Sequence, residues 1–127
     1  MGRGAAVAAA LSWALAAPAA AQTTTDRLPL FDVHLHYSQT AWSDVPLDKA
    51  QAQLDQARIA MAAISSTPDE GTLMLYRADP ERFVPVLRPY VTGDDISNWH
   101  HKPSTPGYLE ERLKLGVHKG IGEFHLS

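Results

Sequence analysis

The chain has 127 residues, with 11 Lys and Arg against 14 Asp and Glu, six His and no Cys, and a formal charge of −3. That length bounds it at one domain with a modest core. The missing cysteine excludes disulfides, and the acidic balance leaves no basic patch to make nucleic acid or an anionic membrane surface the main partner.

Met1 to Ala21 carries one cation, Arg3, then an Ala- and Leu-rich run that ends Pro18-Ala19-Ala20-Ala21-Gln22. Small residues at Ala19 and Ala21 fit a secretory signal peptide cut after Ala21, and the run is too short and Ala-rich for a membrane span. The expected organisation is a signal peptide over 1–21 and one folded unit over 22–127. Export would place that unit in a periplasm or outside the cell, one charge more acidic once Arg3 is removed.

Leu30-Phe31-Asp32-Val33-His34-Leu35-His36-Tyr37 reads as the first strand. With a period of two, Asp32, His34 and His36 share one face and Phe31, Val33 and Leu35 the other. Imidazoles at i and i+2 can both reach one ion at about 2 Å, so the pair is a candidate metal site, with Asp32 as an acceptor that orients one ring. The polar loop from Tyr37 to Val45 carries Trp42 just past the strand end, where substrate contacts gather.

Pro46 suits a first helical position, and Leu47, Ala50, Leu54 and Ala57 recur at helical spacing. Ile59 to Ile64 is a short apolar run, a strand buried on both faces, ending at Ser65-Ser66. Thr67-Pro68-Asp69-Glu70 predicts a capping box with Thr67 as N-cap and Glu70 at N3, opening a helix that stops before Pro80. Phe83 to Tyr90 is a third strand in which Pro85 predicts a bulge or irregular pairing. Met61 and Met74 are expected as core filler.

The long loop from Gly93 to Gly107 holds Trp99-His100-His101, with Trp99 a second candidate pocket wall and the two histidines expected to point apart in extended chain. Tyr108 to Leu115 predicts a third helix with Gly116 as C-cap. Gly120 to Leu126 predicts a fourth strand carrying Glu123 and His125. Alternation of strands and helices with short connections implies an α/β fold of parallel strands and right-handed crossovers, with chemistry at their carboxyl ends.

Asp32-x-His34-x-His36 on a first strand, followed by Gly120-Ile121-Gly122-Glu123-Phe124-His125 a few βα units later, resembles the amidohydrolase superfamily of metal-dependent hydrolases, in its amidohydrolase-related branch. The resemblance implies a (β/α) TIM barrel of eight strands and a divalent ion, zinc before others, that activates water against a C–N, lactone or ester bond of a small-molecule substrate. It makes His34 and His36 metal ligands and Glu123 a third ligand or catalytic carboxylate. From its place two residues past Glu123 on the same face, His125 would coordinate, touch substrate or serve as a satisfied structural histidine. From its chemistry, Arg88 would either grip a substrate carboxylate or neutralise Glu123.

The likeness spans Leu28 to Leu126, whereas a closed barrel takes about 250 residues. The expectation is therefore a partial barrel of about four strands and three helices, an N-terminal fragment inactive alone, its edges covered by a missing C-terminal half or by self-association. The alternatives are a TatD-like metal-dependent nuclease and a non-catalytic exported metal- or ligand-binding module that dimerises through its sheet.

Overall fold

The computed structural model describes residues 28–125; the signal-peptide reading of 1–21 and Leu126, the last residue of the expected fourth strand, lie outside the described residues, and that strand is shorter than expected, ending at Ile121 with Gly122 to His125 outside it. Strands β1 (Leu30–Leu35), β2 (Ile59–Ile64), β3 (Phe83–Leu87) and β4 (Gly120–Ile121) alternate with helices α1 (Leu47–Gln56), α2 (Glu70–Ala78) and α3 (Thr105–Leu113). All four strands pair in parallel, side by side in chain order. The α/β alternation, with four parallel strands and three helices, is thus as expected. Among the described residues no helix is long and apolar enough to cross a membrane.

One face of the sheet is covered and the other is open. Ala62 and Ile64 of β2 and Phe83 of β3 are fully buried with Ala50 of α1, Leu75 of α2 and Tyr37, and Leu35, Trp42, Leu54 and Met74 pack against them. Residues of opposite parity lack such cover: Phe31, Val33 and Met61 are 55 %, 73 % and 41 % exposed. Met74 is therefore core filler as expected, whereas Met61 is not, because it lies opposite Phe31 on the uncovered face.

Gly71 brings α2 close to the end of β1. A methyl group there would stand 1.8 Å from the Tyr37 carbonyl oxygen, an overlap that only glycine avoids. The same carbonyl accepts the Trp42 indole N–H at 3.0 Å, so Trp42 braces this junction instead of walling a pocket.

Several local expectations are corrected. α2 begins at Glu70 with Asp69 before it and no side-chain cap, so the Thr67–Glu70 capping box does not form. Thr67 is tied to the first loop instead: its N–H donates to Ser38 Oγ at 3.3 Å and its carbonyl accepts from Gln39 N–H at 3.3 Å. Pro85 produces no register shift against β2. N–H and C=O of one residue in a parallel strand face the same neighbour, and the Pro85 carbonyl faces β4, accepting from Lys119 N–H at 2.8 Å. The missing donor thus falls ahead of the short β4 ladder. Helix α3 starts at Thr105, earlier than expected, with Pro106 in its first turn, and Gly116 takes the left-handed φ of 72° just beyond it.

The irregularity sits in the β1–β2 pairing. Between Leu30 and Phe31 one step of β1 spans two of β2, and between Asp32 and Leu35, opposite Ala62 and Ile64, three steps of β1 span two, a bulge that breaks strict alternation. In consequence Val33 and His34 both line the open groove, together with Ser65, Val86 and Glu123.

Candidate metal centre

His34 lies near the end of β1 and His36 just past it, Ser65 follows β2, and Glu123 follows β4, so the carboxyl ends of three parallel strands supply the site. The Nε2 atoms of His34 and His36 are 3.0 Å apart. Glu123 bridges them, Oε1 standing 3.2 Å from His34 Nε2 and Oε2 3.2 Å from His36 Nε2. Among the described residues this is the one group of three or more His, Asp and Glu side chains whose ligand atoms lie within 4.8 Å of one another.

A second contact sets the chemistry of the pair. His36 Nδ1 hydrogen-bonds the Ser65 backbone carbonyl. A carbonyl only accepts, so Nδ1 carries the proton and the Nε2 lone pair is left pointing at His34 and Glu123. A backbone carbonyl or carboxylate behind a ligating imidazole fixes tautomer and ring orientation in metal sites. Donor separations of 3.0–3.2 Å are spanned by ligands each about 2 Å from one ion. The donor set therefore fits a divalent ion such as zinc, with imidazole nitrogen and carboxylate oxygen both suited to it. Solvent reaches the cluster: the His34 side chain is 60 % exposed and that of Glu123 37 %.

The remaining expected residues separate from this centre. Asp32 Oδ1 accepts the His34 backbone N–H at 2.9 Å, so it fixes the chain at His34 and not an imidazole ring. Arg88 does not pair with Glu123; its guanidinium lies 4.7 Å over the Tyr90 ring. His125 is held by Tyr90, whose hydroxyl accepts the His125 N–H at 2.8 Å and lies 3.0 Å from its Nδ1. Trp99 Nε1 donates to the His125 carbonyl at 2.9 Å and its ring packs on Phe124. Trp99 thus anchors the segment that presents Glu123. His100 and His101 do not point apart: they sit in a 3-10 turn, Trp99–His101, with ring centroids 4.0 Å apart.

Sequence reasoning missed two supports. Ser65 acts through its carbonyl, a role no side-chain pattern reveals; the end of the apolar run was the available signal. The other is a buried ion cluster behind α2. Asp69, 1 % exposed, accepts from Arg112 Nε at 2.8 Å and meets His118 Nε2 at 3.0 Å. Burial pushes its carboxyl up, but the hydrogen bonds and charges of His118 and Arg112 outweigh that and hold it below the usual carboxylate range.

Comparison with protein-family models, curated proteins and solved structures finds no match.

Proposed function

We propose that the chain carries the metal-holding site of a secreted or periplasmic metal-dependent hydrolase of the amidohydrolase type, acting on a C–N, lactone or ester bond of a small molecule. The observation that carries the reading is the convergence of the His34 and His36 Nε2 atoms on both oxygens of Glu123 at 3.0–3.2 Å, with the His36 tautomer set from behind by Ser65. A divalent ion at such a site supplies activated water and polarises the carbonyl under attack.

His34 and His36 would hold the ion through Nε2, and Ser65 keeps His36 in the ligating tautomer. Glu123 presents one oxygen toward each imidazole; one would help hold the ion, and the other would take a proton from water. Ser65 Oγ, 3.5 Å from Oε2, steadies that second oxygen. The exposed apolar side chains of Phe31, Val33 and Met61 beside this groove support a requirement for further covering chain, or a second copy, before the site is dry enough for turnover.

Zinc titration by calorimetry on the chain and on His34→Ala, His36→Ala and Glu123→Gln tests the reading. Weak one-to-one binding by the parent, abolished in both alanine variants, is expected. Zinc binding that all three variants retain would overturn the site. Metal-dependent turnover by the isolated monomer would overturn the need for a covering partner.

A further inference from the structure

Beside the metal centre, on the same rim, lies a cleft of about 300 Å³ whose lining includes Ser38, Thr40, Thr67, Arg88, Thr92 and Ile96. Arg88 is the only charged side chain in that lining, and it is 7 % exposed. A guanidinium so far from water ordinarily meets a carboxylate or a set of carbonyl acceptors, since a buried unmatched charge is costly. Among the described residues Arg88 belongs to no ion pair, its Nε has no hydrogen-bond partner, and the Tyr90 ring is its one electrostatic contact.

A second buried group in the same cleft is also unmatched. Thr67 Oγ1 has no hydrogen-bond partner among the described residues, although the Thr67 backbone is fully engaged with the first loop. The buried acid in the turn after β3, Asp95, is already used: it accepts the Val91 and Thr92 N–H groups at 2.8 Å each and pairs with Lys102. Arg88 and Thr67, one cationic and one hydroxylic, thus both line this small space, and each keeps a buried polar atom without a partner, Nε and Oγ1, that a small side-chain rotation would bring to a ligand.

The geometry points to a carboxylate-binding subsite formed by Arg88 and Thr67, so that the substrate of the proposed hydrolase is a small carboxylic acid bearing a second, hydrolysable acyl group. This rests on the hydrolase reading for the word substrate, though not for the anion site itself. One positive charge with no second cation in the lining matches a monoanion, and a guanidinium fork matches the two oxygens of a carboxylate. Position agrees. Ser38 follows the ligand His36 by two residues, Thr67 follows Ser65 by two, and Tyr90 joins the Arg88 guanidinium to His125, two residues past Glu123. A molecule seated by its carboxylate at Arg88 is thereby held on the rim that carries the metal donors.

Benzoate and its neutral isostere benzamide, titrated into the full chain and followed by the arginine Nε–H signals in nitrogen-resolved NMR, test the subsite. Benzoate is expected to move one buried arginine signal and benzamide none. In Arg88→Gln benzoate binds at least about tenfold more weakly, in Thr67→Val about two- to fivefold, and in His36→Ala unchanged while zinc binding is lost. Equal response to benzamide, or benzoate affinity retained in Arg88→Gln, overturns the proposal; should that variant not fold, absence of any arginine shift in the parent chain does so alone. Benzoate binding without zinc binding would leave the anion site standing and sink the hydrolase reading, and zinc binding without benzoate would do the reverse.

Discussion

Two clusters in this molecule are built from the same residue types and come to opposite ends. Behind α2, Asp69 meets His118 and Arg112; on the open rim, Glu123 meets His34 and His36. The first is sealed, with Asp69 1 % exposed and the His118 side chain at 0 %, and it contains its own cation in Arg112. The second is open to solvent and has no Arg or Lys in it, while two imidazole nitrogens face each other at 3.0 Å. Charge is compensated internally at Asp69. At Glu123 the facing groups are imidazoles, which carry positive charge only when protonated, so no permanent cation meets this carboxylate.

The largest expected effect breaks the sealed cluster. Asp69→Ala leaves Arg112 and His118 buried without their shared carboxylate, a change that costs about 3–5 kcal/mol. Urea denaturation should show that loss, while zinc affinity per folded molecule stays the same. Glu123→Gln should behave in the opposite sense, changing stability by about 0.5 kcal/mol or less, as partly exposed positions do, and weakening zinc binding by about 100-fold. If the two variants gave matching profiles, the distinction between the clusters would be lost.

Legibility followed the same division. The imidazole pair was readable because His34-x-His36 is a short local pattern, whereas Glu123 as its third member came from the resemblance carried by Gly120 to His125 and not from periodicity. Asp69 was read as part of a helix start because Thr67-Pro68-Asp69-Glu70 has the local form of a cap. Its partners Arg112 and His118 lie 43 and 49 residues away, and no local rule connects them. The bulge in β1 was also hidden: an extra residue between Asp32 and Leu35 leaves no mark in hydrophobic alternation, yet it decides that Asp32 serves backbone and not a ring.

A smaller effect tests the junction that lies between the two regions. Gly71→Ala forces a methyl group against the Tyr37 carbonyl, and helix α2 has to move off the end of β1. Overpacking of this kind costs about 1–3 kcal/mol. Since Tyr37 follows His36 directly, zinc affinity should fall by a few fold with it. Destabilisation with unchanged zinc binding would mean that the rim holds its geometry independently of α2.

The smallest effects are ionisations of the sealed cluster. Asp69 has a folded value below the ordinary one, so its contribution to stability is present above about pH 4 and is lost as pH falls through that lower value. Asp69→Asn, whatever its stability at neutral pH, should flatten that acid limb. Tyr108 reports from the other side: burial first, then the nearby Asp69 charge, pushes its hydroxyl up to about 12. Ultraviolet titration should therefore find one tyrosine ionising well above the ordinary value of about 10, and Asp69→Asn should bring it partway down. Because burial is the larger cause, most of the displacement should survive in that variant. A complete return to the ordinary value would mean that the Asp69 charge, and not exclusion of water, governs the sealed side, and the contrast with the open rim would then rest on charge alone.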